Sequence, residues 1–274
     1  MSLDAFALAL AAAILHAVWN LLVAGSEDSR ATTAVMLLIG TAVLTPLAVA
    51  TWDLGWQAVP YAVASAVLEL VYFALLAVAY SRSELSLVYP IARGLAPVVV
   101  LVVSVVFLGV SGSAMTAAGI VLVTCGVLLV GGARRRADPR GVAFAMAISV
   151  CIAGYTLLDK EGLRYAGAIA YLELVSLLYV PFFVIVVLLR RRPFDLRRAF
   201  GLRVCVAGVC TVAAYGLVLA ALERAPAAPV AAVRESSVLI ATILAAVFLR
   251  ERVTALRLVG ATSIVVGVAV VSLA

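Results

Sequence analysis

Charge is scarce in this chain of 274 residues: Asp, Glu, Lys and Arg make up 12%, against 66% hydrophobic residues and a mean hydropathy of +1.23. A soluble domain of ordinary composition, about 25% charged, is thereby excluded. Histidine occurs once, at His16. There is no HExxH zinc pair, GxSxG elbow or nucleotide loop, so an intramembrane enzyme fails on inventory and no cofactor is expected. Cysteine is limited to Cys125, Cys151, Cys205 and Cys210, all in apolar runs and without a CxxC pair, which makes them packing residues rather than metal or redox groups. The net charge of +6 comes from arginines at the ends of apolar runs, where they act as topology signals, and no nucleic-acid partner is expected. The single lysine set against nineteen arginines is a coding bias of a GC-rich bacterial genome.

What the chain has in abundance is apolar runs of about 20 residues, the length that crosses a bilayer as a helix; a transmembrane barrel would show short alternating segments instead. Ten spans are predicted, at 3–24, 31–52, 57–80, 85–108, 114–132, 141–160, 167–189, 200–222, 227–249 and 255–273. The fold class is an all-α membrane protein. The first run lacks a basic leader region and is expected to be a retained span. The expected setting is the lipid bilayer of a bacterial inner (plasma) membrane, crossed many times.

The fourth run, Glu84 to Leu108, contains Arg93, Pro90 and Pro97 in an otherwise apolar stretch. An arginine at membrane depth costs at least ~2.5 kcal/mol, so it is kept for an ion pair, a polar cavity or a ligand. Prolines remove backbone donors and leave carbonyls near Ser86 and Arg93 to be met by neighbours or substrate. The run reads as a broken helix.

Sliding the chain against itself by 141 residues places Arg93 on Arg234, Gly119 on Gly260, Gly126 on Gly267 and Val106-Phe107-Leu108 on Val247-Phe248-Leu249; Pro46 falls on Pro181 at a slightly smaller shift. The chain reads as a duplication: a five-span half at 1–133, a basic connection at 134–140 and a second five-span half at 141–274. An odd number of spans per half makes the repeat inverted, an architecture that goes with alternating access around a midplane site. Alternate connections divide unequally in arginine. One set holds Arg30, Arg82, Arg134 to Arg136, Arg140, Arg190 to Arg192, Arg197, Arg198, Arg203, Arg250, Arg252 and Arg257; the other has little beyond Lys160, Arg164 and Arg224. The first set is expected in the cytoplasm, with both termini outside.

Polar residues inside the spans are the candidate substrate-binding groups. His16, Trp19 and Asn20 share a face of the first span by their i, i+3, i+4 spacing, either lining a substrate path or tying helices together. Glu69 and Tyr72 lie one turn apart in the third span, Tyr89 and Arg93 one turn apart in the fourth. A short turn at Ser81-Arg82-Ser83 makes these two helices expected antiparallel neighbours and a Glu69 to Arg93 ion pair geometrically feasible. In the second half the candidates are Tyr155, which shares a face with Asp159, then Glu173, Tyr215, Arg234 and Glu235. Three embedded glutamates face two arginines, so one carboxylate lacks a cationic partner and is free to exchange protons; Glu173 is the candidate. Arg93 is expected to be the principal polar anchor, its guanidinium offering a rigid fork to a carboxylate. The glycine pairs, spaced by seven, favour close packing within the repeat or, alternatively, between protomers of a homodimer; monomer and dimer both remain open.

With His16-Ala17-Val18-Trp19-Asn20 in the first span and Leu87-Val88-Tyr89-Pro90-Ile91-Ala92-Arg93-Gly94 in the fourth, the chain resembles the drug/metabolite transporter superfamily, specifically its EamA-type permeases, over essentially its whole length. The resemblance implies ten spans as two five-span repeats and, for many relatives, cytoplasmic termini, opposite to the arginine count. The chain departs from the pattern at Ala24-Gly25, where relatives carry a lysine, and at Gly109-Val110, where they carry an acidic turn, while Arg250-Glu251 keeps that turn in the second half. The expected function is a secondary transporter moving a small polar or amphipathic metabolite such as an amino acid outward. The alternatives are a carrier or flippase of a cationic or lipid-linked substrate, for which Trp19, Tyr72, Tyr89 and Tyr215 matter most, or a non-transporting scaffold.

Overall fold

The computed structural model describes residues 1–23, 26, 28–82, 85–110, 112–131, 139–189, 199–248 and 254–274. Arg134 to Arg136, Arg190 to Arg192, Arg197, Arg198, Arg250-Glu251, Arg252, Ala24-Gly25 and Ser83 lie outside the described residues. The described chain is nearly all helix: α1 (Leu3–Val23), α2 (Ser29–Ala50), a 3₁₀ turn (Trp56–Ala58), α3 (Val59–Arg82), α4 (Leu85–Val106), α5 (Ala114–Gly131), α6 (Pro139–Gly162), α7 (Ala168–Leu188), α8 (Leu202–Arg224), α9 (Ala227–Arg234), α10 (Ser236–Phe248) and α11 (Ala255–Leu273). Ten stretches are long and apolar enough to cross a membrane, the ninth of them formed by α9 and α10 together. Local chemistry marks some boundaries. Asp28 caps α2 by accepting from the backbone N–H groups of Arg30 and Ala31, both at 3.1 Å, and Thr254 caps α11 by accepting from Arg257 N–H at 3.3 Å.

Small residues decide how closely the helices approach. A Cβ added to Gly119 would lie 2.9 Å from the Gly267 carbonyl oxygen, and one added to Gly126 only 2.6 Å from that of Gly260. The four glycines are therefore consumed by an α5 to α11 contact inside one chain, which resolves the choice between internal and inter-protomer packing at this face. A second close approach, Gly40 against Gly208 between α2 and α8, has no counterpart in the sequence reading. The outward faces of α4, α7 and α11 expose Val102, Phe107, Phe182, Ile185, Val259 and Val265, the side chains a bilayer solvates.

Two expectations are overturned. First, α4 is continuous through both prolines, not broken. The carbonyl that Pro97 leaves without a helical donor belongs to Arg93, and on either side of it neighbouring hydroxyls bond the backbone: Ser149 on α6 donates to the Ala92 carbonyl at 2.6 Å, and Thr124 on α5 donates to that of Gly94 at 2.8 Å. These hydroxyls bond the carbonyls that flank the freed one and tie α4 to α6 and α5. The interruption falls at Glu235 between α9 and α10, where Glu235 N–H bonds back three residues to the Ala232 carbonyl and the Ser236 hydroxyl takes that of Val233 at 2.7 Å. A serine hydroxyl competing for backbone carbonyls is a recognised cause of helix bending. Second, α3 and α4 barely touch; both pack extensively on α6, which lies between them.

Candidate functional site

A cavity of about 220 Å³ opens among α1, α2, α3, α4, α6, α7, α8 and α9. Its wall takes the C-terminal half of α1 and α3 and the N-terminal half of α2, so it lies toward the end of the bundle opposite the chain termini. Eight predicted residues line it: His16, Trp19, Glu69, Tyr72, Arg93, Tyr155, Tyr215 and Arg234. The other four are elsewhere. Asn20 donates its amide to the His16 carbonyl at 2.7 Å, one turn back along α1. Tyr89 is half-buried off the wall. Glu173 is buried between α7 and α2, where one carboxylate oxygen accepts from the Thr45 hydroxyl at 2.6 Å and the other has no hydrogen-bond partner among the described residues.

Glu235, the fourth, corrects the expected pairing. Arg93 pairs not with Glu69 but with Glu235: Arg93 Nε stands 3.1 Å from Glu235 Oε2, both side chains almost fully buried. The two atoms lack an aligned hydrogen bond, so the contact is a charge pair rather than a bidentate fork. Arg93 also donates to the Ser237 hydroxyl at 3.4 Å. The physical reason is the interposed α6, which separates Glu69 from Arg93, while the interruption after Arg234 brings Glu235 and Ser237 toward α4. The ion pair therefore joins the two halves of the chain.

Arg234 stands differently. Its guanidinium donates to the Tyr155 hydroxyl at 3.4 Å and lies 6.0 Å from the centre of the Tyr215 ring, within cation–π range. Among the described residues no carboxylate is in ion-pair contact with it. Glu69, on the opposite sign of charge, is hydrogen-bonded by Tyr179. Aromatic rings pack on one another in the wall: Tyr155 meets Tyr72 and Tyr215 edge to face at centroid distances of 6.4 and 6.2 Å, and His16 meets Trp19 at 5.0 Å.

Sequence reasoning missed Phe73, Tyr179 and the role of Asp159. Asp159 is fully buried and accepts from Ser65 at 2.6 Å, Tyr171 at 3.2 Å and Tyr215. Its one-turn spacing from Tyr155 was the available signal. What ties it to the site is Tyr215, on another helix and therefore invisible to spacing.

A solved crystal structure of a protein superposes on 100% of this chain and 98% of its own length with a TM-score of 0.82 at 18% identity, a likeness that establishes the fold. No curated protein matches the chain. Residues 139–273, which begin with α6 and run through α11, match the EamA-like transporter family. A ten-span helical bundle enclosing a polar cavity accords with that family match, which covers the second half of the chain.

Proposed function

We propose that the chain is a secondary transporter of a small zwitterion, an amino acid or close relative, working by alternating access between two inverted five-span halves. The carrying observation is that Arg234 and Glu69, each 8% exposed, line one cavity without pairing with each other. A guanidinium suits a carboxylate and a glutamate suits an ammonium, while Tyr72, Tyr155 and Tyr215 offer faces to the carbon skeleton. A volume of about 220 Å³ equals that of about seven waters, which suits a small metabolite. Supporting the inverted relation, the shift that carries Gly119 onto Gly260 and Gly126 onto Gly267 exchanges the two observed contacts, Gly119 with Gly267 and Gly126 with Gly260.

On the arginine distribution the cavity faces the cytoplasm and the termini lie outside, in an inner membrane, with export as the direction. Glu173, held by a neutral hydroxyl, is the proposed proton carrier. The cationic alternative keeps a specific support, since Glu69 sits among six aromatic rings on the cavity wall. Counterflow in proteoliposomes over a panel of labelled amino acids and organic cations separates the two. For a zwitterion both Glu69→Gln and Arg234→Gln abolish saturable flux; for a cation only Glu69→Gln does. Absence of saturable flux for every compound would remove the carrier reading.

A further inference from the structure

Following α3 and α6 from the cavity toward the chain termini passes three levels, each one helical turn, about 6 Å, from the next. The first is the cavity wall itself, Glu69 on α3 and Tyr155 on α6. Four residues on are Ser65 and Asp159, hydrogen-bonded to each other at 2.6 Å and joined by Tyr171 from α7 and Tyr215 from α8. One turn further on α3 is Tyr61, stacked on Tyr165 at a centroid distance of 6.1 Å with the rings 17° apart. At this third level the connections of the two halves meet as an antiparallel bridge between Leu54 and Ala166: Gly55 N–H donates to the Tyr165 carbonyl at 2.7 Å, and Gly167 N–H to that of Asp53 at 2.9 Å. Gly55 permits the approach, because a Cβ there would stand 3.0 Å from the Tyr165 oxygen. Lys160 donates to the Leu222 carbonyl, and Glu223 accepts from Ala168 N–H at 2.9 Å, fastening α6, α7 and α8 at the same end.

From this layering we infer that Asp159 and the Leu54–Ala166 bridge form the gate that closes the cavity from the termini end, with Asp159 as its positioning residue. The inference rests on the cavity being a transport site. Asp159 is suited to the task because a carboxylate is an acceptor only, so a single buried group draws hydroxyls from three other helices to one point and sets the Tyr215 ring as both floor and cavity wall. The bridge is suited because it consists of two backbone hydrogen bonds and one ring stack between separate halves. The two hydrogen bonds lie in connections outside the helical spans.

The test needs no substrate. In a protein with its four cysteines replaced, Val212→Cys on the cavity wall reports access by an impermeant maleimide added from either face, and Ala274→Cys in a parallel preparation marks the termini face. Leu54→Cys with Ala166→Cys provides the lock. Leu54 and Ala166 form the non-hydrogen-bonded pair of the bridge, for which the Cα separation is about 4.5 Å, inside the disulfide range of about 4.4–6.8 Å. Oxidation is expected to link them, to abolish labelling of Val212→Cys from the termini face, and to leave labelling from the opposite face unchanged; dithiothreitol reverses the loss. Failure of the disulfide to form, or unchanged termini-face labelling once it has formed, overturns the bridge as gate. Asp159→Asn is expected to raise termini-face labelling of the unlocked protein, and Tyr171→Phe, which keeps the ring and deletes one donor, to do so less. If Asp159→Asn does not fold, Tyr171→Phe carries the measurement, and an unchanged rate in the folded variant overturns the role of Asp159. These outcomes stand whether or not any zwitterion is transported, so the gate and the transport reading fail separately.

Discussion

Helix α4 and the α9–α10 pair, which the 141-residue shift sets against each other with Arg93 on Arg234, hold their arginines in different backbone settings. α4 carries Pro90 and Pro97 inside its length yet runs unbroken, with Ser149 and Thr124 on neighbouring helices bonding the carbonyls on either side of the one that Pro97 frees. In α9–α10 the interruption comes at Glu235, six residues past the nearest proline, where a serine hydroxyl takes a helix carbonyl. The arginines diverge in step. Arg93, on the intact helix, is neutralised by Glu235 from the interrupted one; Arg234 is left to a phenol and an aromatic face on the cavity wall. In this protein proline position does not set where a membrane helix breaks, and the break after Arg234 carries Glu235 to Arg93 while Arg234 stays on the cavity wall without an ion-pair partner among the described residues.

The comparison is broken most severely at its shared ion pair. Glu235→Gln leaves Arg93 buried beside one serine and is expected to destabilise the protein by about 3–5 kcal/mol, whereas Arg93→Met with Glu235→Leu restores most of that loss. Thermal unfolding in detergent compares the three proteins, and equal melting temperatures for the single and double variants would show that the pair carries no buried charge.

Next in size is the functional asymmetry between the arginines. Arg234→Lys is expected to weaken apparent substrate affinity by about 10- to 100-fold, the equivalent of one or two lost charge-assisted hydrogen bonds. Arg93→Lys keeps its charge beside Glu235 and should move it much less. Concentration dependence of counterflow decides, and the reverse ranking would return the anchor to Arg93.

Packing between the halves is sharpened by Gly126→Ala, whose new methyl meets the Gly260 carbonyl and is expected to cost about 1–3 kcal/mol. Gly201→Ala, with open space around the added atom, serves as the silent control. The smallest effect expected is on the repaired helix. Ser149→Ala and Thr124→Val each remove one interhelical hydrogen bond, about 0.6 kcal/mol apiece in a membrane. Amide exchange at Leu95 and Ala96 would rise if these hydroxyls hold α4 together, and would stay unchanged if the helix is continuous without them.

Much was legible before any coordinates. Spans were readable because a bilayer demands about 20 apolar residues and leaves no backbone group unpaired, so hydropathy alone locates nearly every helix. The residues worth watching were equally visible: a charge inside a span is expensive enough that Glu69, Arg93, Arg234 and Glu235 had to be partnered or used. Gly119, Gly126, Gly260 and Gly267 signalled a close helix contact, since only a missing side chain lets two backbones come so near. Eight of the residues singled out line one cavity, His16 with Trp19 and Glu69 with Tyr72 among them.

Partnership was beyond sequence. Neighbours along the chain suggested Glu69 for Arg93, yet α6 separates α3 from α4 and the actual partner lies 142 positions away. Asp159 was noted only for the helix face it shares with Tyr155, whereas in the structure α3, α7 and α8 each deliver a hydroxyl to it. Hydropathy and spacing are properties of a single helix in its solvent, and the sequence determines them locally. Which faces meet is decided by the summed packing of many helices at once, where one glycine contact or interposed helix moves a partner by a whole helix diameter, and only the tertiary structure reports that sum.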